Sequence, residues 1–260
     1  MDIIIIGSGN TATVMGGKIA AAGHRIRQVA GRREEPVRQL AAEWGSVAIT
    51  RWDEMDRQAD LYLVTLSDSA LEGLGQVLSL PGRLVAHTAG AVPMGILQGV
   101  SERTGVLYPL QSLRKDVRPF PETPLLIDAA RPEDVGLLEE VALTISRQVR
   151  RADDATRLKL HLSAVIVNNF GNFLYTLADD YCRKEGLDFS LLLPLIRETA
   201  GRLEQSGPQE VQTGPAIRGD RATIEKHLKL LDNYQGIKDL YNLFTIKIEE
   251  YYHDERSGKI

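Results

Sequence analysis

A run of four isoleucines, Ile3–Ile6, ending in Gly7-Ser8-Gly9-Asn10-Thr11-Ala12, limits what this chain can fold into more than any other stretch. Residues of helical character follow up to Gly23. A second apolar run spans Ile26 to Ala30 and leads into Gly31-Arg32-Arg33. A strand with no polar face must be covered on both sides, as strands of parallel sheets are. Strand, glycine turn, helix and second strand make a complete βαβ unit. Within it Gly7 permits a tight turn, Gly9 lets a pyrophosphate approach the backbone, and Ala12 is small enough for the helix to pack on its strand. Ser8 and the exposed amides near Asn10 and Thr11 then face the phosphates with the positive end of the helix dipole.

The end of the second strand bears on which dinucleotide fits. NAD-binding folds place an acid there for the ribose 2′-hydroxyl. This chain has Arg32 and Arg33 instead, and its first acids, Glu34 and Glu35, come later. A guanidinium matches a 2′-phosphate in geometry and charge, so the expected cofactor is NADP(H). The plainer alternative is a pair of solvated charges at a helix start.

The 260 residues allow one large or two modest domains, and the net charge of −4 gives no electrostatic reason to expect nucleic acid or anionic lipid. Cys182 is the single cysteine, which rules out an intrachain disulfide or a cysteine-based zinc site and fits a reducing cytoplasm. No metal site is expected. The apolar N-terminus is too short for a signal peptide, and no stretch approaches the ~20 apolar residues of a membrane span.

The first half alternates strand and helix signals, the pattern of a doubly wound α/β fold with a mainly parallel sheet. Helices are expected over Val37–Trp44, Ala70–Leu80, Met94–Val100 and Pro132–Ser146. Strands are expected over 46–50, 59–66, 83–87, 105–110, 125–128 and 147–151. From Asp153 the pattern is helical throughout. One long helix is expected over Asp153–Gly186, a second over Phe189–Gln205 with Pro194 marking a kink or late start, a Gly- and Pro-rich loop over 207–219, and helices over 221–231 and 237–252. The expected domains are therefore 1–152, dinucleotide-binding, and 153–260, all-helical, with a frayed tail from Asp254.

Ligands of open α/β sheets bind beyond the carboxyl ends of the strands. Gly7–Ala12, Leu66–Ser69, His87–Ala91 and Tyr108–Ser112 must therefore meet. Leu66, Ser67 and Asp68 are placed at the cofactor, with a helix cap as the alternative for Ser67 and Asp68. Thr88, Ala89 and Gly90 keep backbone close to the nicotinamide, and His87 reads as a positioned polar residue or a base. Tyr108-Pro109-Leu110-Gln111-Ser112 falls on the substrate side, with a plain strand terminator as the alternative for Pro109.

On the long helix, His161, Ala164, Val165, Asn168 and Asn172 follow a three-four spacing and share one face, with Asn169 about a hundred degrees away. Three asparagines in an otherwise apolar segment need polar partners if buried. An internal hydrogen-bond network and a ligand site both supply them. His161, Asn168 and Asn172 are the candidate catalytic residues. In Gln212–Asp220, Asp220 reads as a helix cap, Thr213 as a substrate contact, and Arg218 as a grip for an anionic group or a surface ion pair.

Gly7-Ser8-Gly9-Asn10, His87-Thr88-Ala89-Gly90, Tyr108-Pro109-Leu110-Gln111, Asn168-Asn169-Phe170 and Thr213-Gly214-Pro215-Ala216 followed by Arg218 occur in this order. Across nearly its whole length the chain resembles the Rossmann-like proteins that carry a C-terminal helical domain of unknown function, a family of candidate NADP oxidoreductases. More distantly it is similar to pyrroline-5-carboxylate reductase, ketopantoate reductase and the β-hydroxyacid dehydrogenases. The resemblance implies a helical domain like the C-terminal one of 6-phosphogluconate dehydrogenase, a cofactor cleft between the domains, and a homodimer through the helical domains. One departure stands out. β-Hydroxyacid dehydrogenases carry a catalytic lysine one turn before an asparagine on this helix, where this chain has Ala164 and Val165, with Lys159 out of phase.

Two functions remain open. One is an NADP-dependent oxidoreductase for a small carbonyl, imine or hydroxy-acid substrate, with His161 as acid or base, Asn168 and Asn172 on the reacting atom, and Arg218 on a carboxylate. The other is a non-catalytic NADP-binding sensor or assembly module. The missing lysine favours the second; the polar helix face favours the first.

Overall fold

The computed structural model describes residues 1–256, so the last four residues of the expected tail lie outside the described residues. The chain divides into two compact units, Met1–Gly171 and Asn172–Ile260.

The first unit is built on one eight-stranded sheet, in the order β3-β2-β1-β4-β5-β6-β7-β8. Its strands are β1 (Asp2–Ile6), β2 (Arg25–Ala30), β3 (Val47–Ile49), β4 (Leu61–Val64), β5 (Leu84–His87), β6 (Arg103–Pro109), β7 (Leu125–Ala129) and β8 (Val149–Arg151). Among these pairings only β6 with β7 is antiparallel. β1 lies between β2 and β4, so the isoleucine run has packed layers on both faces. Ile3 and Ile5 enter one apolar core, with Ala12, Met15 and Leu138, and Ile4 and Ile6 enter the other, with Leu71 and Leu97. Burying each such side chain stabilises the fold by roughly 1.5–3 kcal/mol, which is why an all-apolar strand seeks the centre of a sheet.

Around the sheet lie α1 (Asn10–Ala21), α2 (Glu34–Glu43), two single turns, α3 (Asp68–Leu71) and α4 (Leu74–Val77), and α5 (Pro132–Ile145). The expected continuous helix over 70–80 is thus broken. The break falls at Glu72 and at Gly73, the N-cap of α4. Within α4 a Cβ on Gly75 would lie 2.9 Å from the backbone of Gly99, so two glycines let these chain segments touch. The expected helix over 94–100 shrinks to a 3₁₀ turn, Met94–Leu97.

The long helix begins where Asp153 accepts a hydrogen bond from the Thr156 amide. It runs as α6 (Asp154–Ala164), then a π-helical turn over Val165–Phe170, then α7 (Gly171–Lys184). Sequence periodicity assumes one helical pitch throughout and so does not reveal the π turn.

In the second unit a 3₁₀ turn, Phe189–Leu192, precedes α8 (Leu193–Arg202), so Pro194 marks a late start rather than a kink. The glycine-rich loop holds one short turn, α9 (Pro215–Arg218). Asp220 caps α10 (Arg221–Leu230) through the Thr223 amide, and α11 (Gln235–Arg256) continues through the first part of the expected tail. Among the described residues no helix is long and apolar enough to cross a membrane.

Candidate functional site

Gly7 follows β1 with a φ of 131°, and a Cβ there would stand 2.3 Å from Oγ1 of Thr65, so no other residue fits. Thr65 closes the contact by donating to the Ile6 carbonyl at 3.0 Å. Gly9 is the N-cap of α1 and offers no side chain to its first turn, and the space above it is open. The first amides of α1 are left for a ligand to satisfy, at the end of the helix that favours negative charge. A cavity of about 540 Å³ lies over this turn, lined by Gly7, Ser8, Gly9, Gly31, Arg32, Arg33, Thr65, Leu66, Ser67 and Ala70. Both arginines are exposed. A glycine turn, free helix-end amides and two guanidiniums in one cavity fit a dinucleotide carrying an extra phosphate.

A second recess of about 650 Å³ opens at the carboxyl end of β6, lined by Tyr108, Gln111, Ser112, His161, Asn168 and Asn169 among others. Tyr108 Oη and His161 Nδ1 are 2.9 Å apart, and their rings meet edge to face at 5.9 Å between centroids. Asn168 donates from Nδ2 to Ser112 Oγ at 2.6 Å. Burial pushes the Tyr108 hydroxyl pKa up, Arg157 draws it down, and Asp68 adds to the rise.

In the first turn of α6, Arg157 is 1% exposed. Its Nη2 donates to the Val92 carbonyl at 2.5 Å and to Asp154 at 2.8 Å, and Asp154 in turn accepts from the Met94 amide. Nε and Nη1 of Arg157 have no hydrogen-bond partner among the described residues. The guanidinium therefore ties the first turn of α6 to the segment that follows β5. His87 is fully buried; its Nδ1 accepts from the Ala89 amide at 3.1 Å, and burial, helped by Arg157, lowers its pKa to about 4.

A Rossmann-like domain model matches residues 1–111, and a domain of unknown function (DUF2520) matches residues 123–248. Among solved structures, the Bacteroides fragilis protein BF3122, named a candidate NADP oxidoreductase, is 39% identical, with 96% of this chain and 98% of that one covered and a TM-score of 0.87. The chain belongs to this Rossmann-like family. Protein TM1727 from Thermotoga maritima is 19% identical, covering 98% and 99% of the two chains at a TM-score of 0.75. A reductive aminase from Aspergillus terreus, solved with NADPH4, cyclohexanone and allyl amine, is 18% identical, covering 99% and 94% at 0.69. At such identities these last two show a shared fold alone. No curated protein matches the chain.

In this member of the Rossmann-like family, the structure gathers some of the residues singled out in the sequence and separates others. Gly7, Ser8, Gly9, Arg32, Arg33, Leu66 and Ser67 line one cavity; Asn10, Thr11, Asp68, Thr88, Ala89 and Gly90 are not among its lining residues. Ser67 is the N-cap of α3 without a side-chain cap bond, because its Oγ faces Ser69 Oγ at 3.4 Å. His161, Asn168 and Gln111 share the second recess, but Asn172 is not part of its lining and Asn169 is. The π turn explains that exchange: each turn there takes more residues than an α turn, so the phase of the face shifts after Val165. The asparagines are exposed, and Asn168 is bonded to Ser112 at the edge of the recess. Thr213 lines an apolar hollow within the second unit, Arg218 is exposed at the end of α9, and Lys159 is exposed. Sequence reasoning missed Thr65 and Gly31 in the cradle and the pairing of Tyr108 with His161. Only the need of Gly7 for a close neighbour hinted at the first, and nothing local signals the second.

Proposed function

We propose that this protein is an NADP(H)-dependent oxidoreductase acting on a small carbonyl, imine or hydroxy compound. The observation that carries the reading is the presence of Arg32 and Arg33 in the same cavity as the Gly7-Ser8-Gly9 turn. In this reading the two arginines hold the 2′-phosphate, and Gly7, Ser8, Gly9, Asn10 and Thr11 hold the pyrophosphate. Leu66, Ser67, Asp68, Thr88, Ala89 and Gly90 lie along the remainder of the dinucleotide. Bound NADPH supplies hydride chemistry. The chain's own part is to orient the substrate through Asn168 and Gln111 and to hold a proton near the reacting atom at His161. The name of the Bacteroides relative supports the same class.

The exposed apolar side chains of the helical unit support a two-fold homodimer through that unit, and the single buried cysteine, Cys182, suits a reducing cytoplasm. In this reading residues 1–152 form the dinucleotide-binding domain and 153–260 the helical substrate and dimerisation domain.

Calorimetry with NADPH and NADH, followed by an NADPH-oxidation screen over small carbonyl and imine acids, tests the reading. Tighter binding of NADPH and consumption with at least one substrate are expected. Binding without consumption across the screen would favour a non-catalytic module, and failure to bind either dinucleotide would refute both.

A further inference from the structure

We propose that Tyr108 is a catalytic residue whose hydroxyl exchanges a proton with the oxygen or nitrogen of the reacting substrate, and that His161 is the positioning residue that frees this hydroxyl to do so. The proposal rests on the oxidoreductase reading above.

Three segments far apart in sequence converge to make the pair. Tyr108 sits near the carboxyl end of β6, the edge of an open α/β sheet where ligands bind. His161 comes from α6, and Gly90 from the segment after β5. A Cβ on Gly90 would lie 2.5 Å from His161 Nδ1 and 2.9 Å from Tyr108 Cζ. The absence of a side chain at 90 is thus what lets ring and phenol meet. Both members line the recess that also holds Gln111, Ser112 and Asn168, and Tyr108 is otherwise 8% exposed.

The hydrogen bond between them has two possible directions, and they differ in consequence. A tyrosine hydroxyl has one proton to donate and lone pairs with which to accept. If the phenol donates to Nδ1, its only proton is used within the pair. If Nδ1 carries the proton, it donates to Oη, and the O–H bond is left to point at a ligand. Protonated imidazole has only donors, so it enforces the second arrangement. Burial favours the neutral phenol against phenolate, so the hydroxyl keeps its proton until something takes it.

In the reducing direction the Oη–H bond of Tyr108 breaks and its proton goes to the substrate's oxygen or nitrogen. As water delivers a proton to Nε2 of His161, the Nδ1 proton moves to Oη, leaving neutral imidazole with its proton on Nε2, and exchange with water restores the Nδ1 tautomer. The electron pair is that of the reduced nicotinamide. In the oxidising direction each transfer reverses. The charged groups acting on Tyr108 are Arg157, which is buried, and Asp68. Burial raises the pKa of the hydroxyl most, Arg157 opposes that rise and Asp68 adds to it.

The test uses the full-length protein and three variants. Tyr108→Phe keeps the ring and removes only the hydroxyl; His161→Gln keeps a side-chain N–H able to donate to Oη; His161→Leu does not. Three readouts are taken: NADPH affinity by calorimetry, ¹⁵N NMR resonances of the His161 ring without substrate, and turnover with the compounds of the screen above. We expect Tyr108→Phe to bind NADPH as the wild type does, to shift the His161 ring resonances, and to lose about 10²-fold or more in kcat, the scale of a lost general acid. His161→Gln should retain more kcat than His161→Leu. Unchanged ring resonances in Tyr108→Phe, or wild-type turnover by that variant, would overturn the proposal while leaving the oxidoreductase reading intact. A wild type that binds no dinucleotide would overturn both.

Discussion

Gly90 and His161 are in direct contact: a Cβ built on Gly90 would stand 2.5 Å from Nδ1 of the imidazole and 2.9 Å from its Cγ. Both contacts are with a ring that is hydrogen-bonded on that side, so the imidazole cannot swing away without losing Tyr108. Gly90→Ala should therefore separate the pair and cost ~1–3 kcal/mol, the usual scale of overpacking. Chemical denaturation reads the stability, and the His161 ring resonances read the separation. An alanine variant with wild-type stability and resonances would show that the contact is relaxed in solution.

Cofactor choice rests on the arginines of the cradle. Arg32→Ala should weaken NADPH by roughly 1.5–3 kcal/mol, the scale of a hydrogen bond to a charged group, and leave NADH almost unchanged. Calorimetry with both dinucleotides measures it. Equal losses for the two would remove Arg32 from the 2′-phosphate.

Asn168 is exposed and makes its 2.6 Å bond to Ser112 at the rim of the recess. An exposed bond contributes little to folding, so Asn168→Ala should cost less than ~1 kcal/mol. Turnover should fall by about tenfold or more, as when a positioned polar group is lost. A large fall in melting temperature with turnover per folded molecule unchanged would make the asparagine structural.

His87 makes stability depend on pH. The unfolded chain takes up a proton on this residue near the ordinary value of ~6.5, whereas the buried ring does so only at about 4. Between those values the unfolded state binds more protons, so stability falls as pH drops from about 6.5 towards 4, then levels off. The loss from this residue is up to roughly 3 kcal/mol. His87→Asn cannot titrate, and its Oδ1 can accept from the Ala89 amide as Nδ1 does. Denaturation at pH 7 and pH 4 should show a larger drop for the wild type than for the variant. Parallel losses would mean that His87 is protonated without penalty.

The helical unit exposes Phe173, Leu191 and Leu195 at 55%, 75% and 63%. Apolar surface of this extent on a folded chain marks an interface. Light scattering at micromolar concentration should report a dimer, and Leu191→Asp should shift it towards monomer. A monomeric wild type would refute the assembly.

Much of the fold was legible because its causes are local. Four consecutive isoleucines admit only a strand covered on both faces, and Gly7-Ser8-Gly9 admits only a tight turn before a helix. Arg32 and Arg33 stand immediately after the second strand, so their place in the cradle follows from chain connectivity. The disappearance of strand signals after Arg151 likewise separated sheet from helices. Tertiary structure decided what depends on segments meeting across the chain. The helix expected over 70–80 is two separate turns, and Gly75 in the second of them touches Gly99, a contact that no local pattern encodes. Asn169 enters the recess and Asn172 leaves it because a π turn over Val165–Phe170 alters the helical phase, and periodicity cannot reveal a change in its own period. His161 stood out in its own stretch, but it and Tyr108 become a hydrogen-bonded pair only because β6, α6 and Gly90 converge at one point. Hydrogen bonds of this kind depend on tenths of an ångström between distant residues, a quantity set by packing and not by sequence spacing.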